Sequence, residues 1–191
     1  MSERPYRDWI GAVVRLLESM QASDADDPLD LEDGVRRAVD RILAVKAPNK
    51  VMLVGNGGSA AIARHMHNDL VKCVGVRAQV FYDVPLLTAI TNDDGYEQVF
   101  EQPIRQWTDP GDVLVAISSS GRSENILRAA RAAREAGADV IAISGFDADN
   151  PLRAMGSPSF WVDSHDYGAV ESSHTILTHY LTDRAAARRG R

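Results

Sequence analysis

Between Tyr6 and Met20 the apolar side chains Trp9, Ile10, Val13, Val14, Leu16, Leu17 and Met20 recur at the spacing of one helical face, which predicts a first helix. The next stretch, Ser23-Asp24-Ala25-Asp26-Asp27-Pro28, is acidic and ends in a helix-disfavouring proline, so a solvated connector is expected there. A second helical pattern (Leu31, Val35, Val39, Ile42, Leu43) runs to Pro48. After Asn49 the rhythm changes. Short β-rich runs at 51–54, 79–82, 113–117, 140–143 and 160–162 alternate with helical runs at 59–71, 95–107, 123–136 and 169–187. Strands apolar on both faces and separated by helices are the mark of a parallel sheet covered on both sides. The pattern predicts a doubly wound, flavodoxin-like α/β fold with a five-stranded parallel sheet. It occupies a single domain over residues 1–191, with a helical hairpin at 1–48 and the α/β core at 49–187.

The length, 191 residues with 45% in the apolar set, suits one domain with a sizeable core. The charge sum, 21 basic against 27 acidic residues, gives −6 and argues against nucleic acid as a ligand. A lone cysteine, Cys73, can form no internal disulfide and no cysteine-rich metal motif. The amino terminus has no apolar signal core, and no run approaches the roughly 20 apolar residues that span a bilayer. A soluble cytoplasmic protein without a membrane partner is therefore expected. The two amino-terminal helices carry more apolar surface than a sheet covered by its own helices requires, which predicts a homo-oligomer, with a tetramer as the expected state.

Ligands of such sheets sit at the carboxyl ends of the strands, where two loops stand out. The first, Gly55-Asn56-Gly57-Gly58-Ser59-Ala60, joins a strand to a helix, with Ser59 suited to cap it. It also fits a dinucleotide fingerprint, with Asp83 where a ribose-binding carboxylate would stand, but that motif alone is weak. The second, Ser118-Ser119-Ser120-Gly121-Arg122-Ser123-Glu124-Asn125, again opens a helix. Four hydroxyls beside backbone N–H groups make a cup for a dianion, and the chain has no Gly-Lys-Ser/Thr sequence. A monophosphate is thus the expected guest, and no nucleotide cofactor is expected. Candidate acid–base groups lie on two helices: His65 and Asp69 four residues apart, then Glu171, Thr175 and His179 in steps of four, with His174 three from Glu171. Such groups could hold a divalent ion such as Zn²⁺ or share proton transfer, and the spacing leaves both open. His67 and His165 are expected to be ordinary hydrogen-bonded or surface residues.

Taken in order, four motifs together resemble the sugar isomerase (SIS) domain family over nearly the whole chain. They are Gly55-Asn56-Gly57-Gly58-Ser59 ahead of a helix bearing His65 and Asp69, Thr91-Asn92-Asp93-Asp94-Gly95-Tyr96, Ile117 to Ser123, and Glu171-Ser172-Ser173-His174 with His179. The resemblance implies a cytoplasmic homotetramer that converts sedoheptulose 7-phosphate to D-glycero-D-manno-heptose 7-phosphate by aldose–ketose isomerisation. It implies that Asn56, Gly57, Ser59, Asp93, Ser118, Ser119, Ser120, Ser123 and Glu171 contact the phosphosugar. Asp69 and His179 would be catalytic, and His65, Asp69, Glu171 and His179 would hold a divalent metal, Zn²⁺ first among the candidates. Departures from the family pattern are Asp69 for Glu, Glu171 for Gln, Gly168 for a substrate-contacting Asp, and Arg122 for Asn. Two rivals differ in class: a non-catalytic phosphosugar-binding or scaffold member of the family, and a dinucleotide-dependent oxidoreductase. The second leaves the serine loop and the carboxyl-terminal histidines without a role.

Overall fold

The computed structural model describes residues 4–25 and 27–190. Helices α1 (Tyr6–Glu18) and α2 (Leu31–Ala44) form where the apolar spacing places them. The Asp30 carboxylate accepts from the backbone N–H groups of Glu32 (2.9 Å) and Asp33 (3.3 Å), two of the donors left open at the start of α2. Between these helices the expected solvated connector is instead a pair of antiparallel strands, β1 (Gln21–Asp24) and β2 (Asp27–Leu29). Ladder pairing uses the backbone, so acidic side chains at the rim do not forbid it. Ala22 and Ser23 turn inward while the Asp24 carboxylate pairs with Arg37 outside.

Five parallel strands follow: β3 (Val51–Gly55), β4 (Ala78–Val80), β5 (Val113–Ser118), β6 (Asp139–Ser144) and β7 (Ser159–Trp161). The sheet order is β2-β1-β7-β6-β5-β3-β4, and β1 pairs antiparallel with β7. The expected five-stranded parallel sheet is present, and the β1–β2 pair extends it to a mixed sheet of seven. The remaining helices are α3 (Gly57–Asp69), α4 (Val84–Asp93), α5 (Glu101–Trp107), α6 (Glu124–Glu135) and α7 (Tyr167–Arg188). A wider π-helical turn at Leu70–Val74 continues α3. The segment expected as one helix from 95 to 107 is a 3₁₀ turn at Tyr96–Gln98 followed by α5, and α4 ahead of it was not foreseen. Asp83, the candidate ribose carboxylate, caps α4 by accepting from Leu86 N (3.2 Å). No described helix is long and apolar enough to cross a membrane.

Side chains alternate across the sheet. Val51, Leu53, Val113, Val115 and Ile117 pack under α2, α3 and α7, whereas Met52, Val54, Leu114 and Ala116 pack under α5 and α6. Helix α1 buries only Val13, leaving Tyr6, Ile10 and Val14 exposed. From β3 the chain crosses by α3 to β4 on one side, and from β5 by α6 to β6 on the other. The crevice beyond the carboxyl ends of β3 and β5 is therefore the topological switch point. At the opposite ends of the same two strands, the fully buried Asp112 accepts from Lys50 Nζ (2.7 Å), Lys50 N (2.9 Å), Asp109 N (2.9 Å) and Asn49 Nδ2 (3.0 Å). Burial works to raise its pKa, but these donors together hold it below the ordinary aspartate value.

Candidate active site

The glycine loop after β3 and the serine loop after β5 meet at the switch point and aim the starts of α3 and α6 at one place. Between them lies an open pocket of about 240 Å³ lined by Asn56, Gly57, Gly58, Ser59, Ser118, Ser119, Ser120, Ser123, Tyr167 and Glu171. All four serines expected in the cup line it. Asn56 rather than Ser59 caps α3, and Ser59 sits buried inside the first turn. Ser123 caps α6 without spending its hydroxyl on the backbone, and Ser118 Oγ donates to it at 3.4 Å. Ser118 Oγ also accepts from Gly121 N (3.2 Å), and Ser120 Oγ accepts from Arg122 N (3.2 Å), so the loop is fixed by its own hydroxyls. Two helix N-termini and unspent hydroxyl donors facing one small pocket favour a compact oxyanion.

Glu171 reaches across from α7 so closely to Gly58 that a Cβ there would displace its carboxylate. Tyr167, which the sequence pattern did not single out, adds an aromatic wall whose ring meets Phe146 edge to face at 4.9 Å. Arg122 points away from the cup toward Asp149 (2.7 Å) and Asp147 (3.5 Å). His165 also bonds Asp147, at 3.0 Å, and these contacts, His165 foremost, hold the Asp147 pKa below its ordinary value. Asp93, at the end of α4, is exposed, accepts from Asn92 Nδ2 (2.7 Å) and does not line the cup. The segment that carries it reaches the cup through Tyr96, whose hydroxyl donates to Asn56 Oδ1 at 2.8 Å.

Where α3 packs on α7, His65 Nε2 lies 3.4 Å and His179 Nδ1 3.5 Å from Asp69 Oδ2, with the two imidazole rings edge to face at 4.6 Å. One ligand atom from each of the three falls within 4.8 Å of the others. The Asp69 side chain is 14% exposed, against 55% and 46% for His65 and His179, so the carboxylate sits beneath the imidazoles. Glu171 does not join them. It precedes His179 by eight residues, a helical rise of about 12 Å, and it faces Gly58 instead. The four-residue metal set expected from the resemblance is therefore three residues plus a distant carboxylate within one chain. His174, the other titratable group near Glu171, is fully buried with Nε2 3.0 Å from the Ser144 carbonyl, and burial pushes its pKa down to about 4. It serves the core, while Thr175 Oγ1 donates to the Glu171 carbonyl (2.8 Å) and His67 is half-buried.

Residues 8–145 match the SIS domain. Phosphoheptose isomerase of Aquifex aeolicus is 35% identical over 146 residues, covering 73% of this chain and 76% of its own. Phosphoheptose isomerase of Citrifermentans bemidjiense is 33% identical over 172 residues, covering 87% and 88%. Among solved structures, phosphoheptose isomerase from Neisseria gonorrhoeae superposes with a TM-score of 0.79 at 28% identity, over 95% of both chains.

Proposed function

The chain belongs to the SIS domain family, and from that membership and the hydroxyl-lined cup we propose that it interconverts sedoheptulose 7-phosphate and D-glycero-D-manno-heptose 7-phosphate. The observation that carries this reading is the convergence of two helix N-termini and four serines on one pocket, a cradle matched to a phosphate monoester. Holding the phosphate there leaves the carbonyl end of the sugar for acid–base chemistry.

Asp69 and His179 supply that chemistry. The Asp69 carboxylate takes a proton from C1 of the ketose while His179 delivers one to the C2 carbonyl oxygen, giving a cis-enediol. Loss of the proton on the C1 oxygen and return of a proton to C2 yield the aldose, so the step is redox-neutral and needs no nicotinamide. The donor set of His65, Asp69 and His179, two imidazole nitrogens and a carboxylate oxygen, fits a Zn²⁺ ion with a position left open. Bound there, such an ion would polarise the sugar carbonyl as a Lewis acid.

The same reading extends to a homotetramer in the cytoplasm. Asp69 lies ten residues past Ser59, a rise of about 15 Å along α3, a separation that suits a site completed by the cup of one copy and the triad of another. The exposed apolar residues of α1 and the apolar groove between Leu17, Met20, Val35, Ile176 and Tyr180 supply surface for such contacts. The free exposed thiol of Cys73 agrees with a reducing compartment. The decisive experiment incubates the protein with sedoheptulose 7-phosphate and follows the aldose anomeric signal by NMR without added nicotinamide. Formation of the aldose is expected, and a chain that binds the sugar without turning it over would belong with the non-catalytic SIS proteins.

A further inference from the structure

Asn56 is held from two directions. Its Nδ2 donates to Asn125 Oδ1 and its Oδ1 accepts from Asn125 Nδ2, both at 2.9 Å, a reciprocal amide pair between residues 69 apart in sequence. The same Oδ1 accepts from the Tyr96 hydroxyl at 2.8 Å. Asn125 is 3% exposed in the first turn of α6, whereas Tyr96 is 49% exposed on the turn after α4. Asn56 caps α3 and Asn125 opens α6, so the pair ties together the starts of the two helices that form the cup. Both acceptor sites of Oδ1 and one of the two N–H bonds of Asn56 are thereby occupied. One N–H remains on a side chain that lines the pocket.

Resting on the phosphosugar reading above, we infer that Asn125 and Tyr96 are positioning residues that clamp the two halves of the cup and present Asn56 to the ligand as a donor only. An anionic phosphate or a sugar oxygen needs a donor there. An unclamped amide can rotate to offer its oxygen, which repels the same ligand. Neither positioning residue lines the cup itself; both line the cleft that adjoins it at Asn56 and Ser123, and their hydrogen bonds reach the cup through Asn56.

The test titrates inorganic phosphate into the full-length protein by calorimetry and measures isomerase kinetics for Tyr96→Phe, Asn125→Ala and Asn125→Asp. Tyr96→Phe removes an exposed hydroxyl without threatening the fold. It should raise KM about 2- to 10-fold, the span of one neutral hydrogen bond, with kcat within about twofold. Asn125→Ala should weaken phosphate binding and raise KM further. Asn125→Asp sets a carboxylate against Asn56 Oδ1 and should bind phosphate more weakly still at pH 8. Its deficit relative to the parent protein should shrink toward pH 5 as the introduced carboxyl gains a proton and can donate again. Glu97 and Glu124, which line the adjoining cleft with Ser123, are common to both proteins and cancel in that ratio. Loss of packing alone would not produce this recovery.

The inference is overturned if folded Tyr96→Phe and Asn125→Ala keep the parent KM and phosphate affinity. It is equally overturned if Asn125→Asp shows no recovery on acidification. A parent protein that neither binds phosphate nor isomerises the sugar overturns the functional reading itself, and so separates the two failures.

Discussion

Both ends of β3 and β5 gather backbone N–H groups and polar side chains, but they use them in opposite ways. At the amino-terminal end, Asp112 is buried and accepts four hydrogen bonds, from the Lys50 ammonium, the Asn49 amide and two backbone N–H groups. At the carboxyl-terminal end, Ser118, Ser119, Ser120, Ser123 and the starts of α3 and α6 surround an open pocket with donors still to be matched. A buried donor–acceptor set that is satisfied stabilises the native state, and one left open stabilises only what enters it. The difference assigns stability to one end of the sheet and recognition to the other, so substitutions at the two ends should separate folding from binding.

The largest effect is expected in the acid–base triad where α3 packs on α7. Asp69→Asn and His179→Gln should each lower kcat by about 10²- to 10⁴-fold, with the melting temperature little changed. The double variant should be scarcely slower than either single one, since both serve one proton path, and additive losses would show that they act separately. Next, Asp112→Ala leaves the buried Lys50 ammonium with only the exposed Asp109 carboxylate at 3.2 Å and should cost about 3 kcal/mol in urea unfolding, while the folded fraction keeps its kcat/KM. Loss of activity without loss of stability there would reverse the assignment. Replacing Ser120 and Ser123 by Ala should do the converse, each lost hydrogen bond to a charged group weakening phosphate binding by roughly 1.5–3 kcal/mol at unchanged urea midpoint.

The smallest effect is a pH slope from His174. Its pKa is near 4 folded, against the ordinary 6.5 unfolded, so the unfolded chain binds the extra proton first as pH falls. Stability contributed by the neutral ring is complete above the unfolded pKa and declines between pH 6.5 and 4, by about 1 kcal/mol from pH 6.5 to 5.5. His174→Gln should flatten that part of the stability curve, and an unaltered slope would place the titration elsewhere.

What the sequence made legible was local. The strand cores and the serine loop announce themselves within six residues, and the i, i+4 pair of His65 and Asp69 follows from helical spacing alone. The β1–β2 pair escaped because its side chains are polar and its cohesion is in the backbone ladder with β7. Tyr96 and Asn125 stand inside the motifs, but their bonds to Asn56 are not legible there because that partner lies 40 and 69 residues away. Glu171 was placed on the correct face of α7 but at the wrong height, since a step of four says nothing of which neighbour stands opposite each turn. His174 did carry a signal: it shares an apolar stripe with Val170, Leu177 and Leu181, which marks a core histidine rather than a ligand.

The placement of Pro28 bears on how this protein behaves when crowded or warmed. It lies in β2, the outermost strand on one side of the sheet, a strand of only three residues. A proline has no amide hydrogen to offer, and a short rim strand gives an incoming chain little length to align with. The exposed carboxylate of Asp27 in the same strand adds like charge against a second molecule with the same rim. Growth of the sheet from molecule to molecule, the first step toward fibrils, is thus discouraged at this rim, and Pro28→Val should bring thioflavin-positive aggregation at temperatures where the parent stays dispersed.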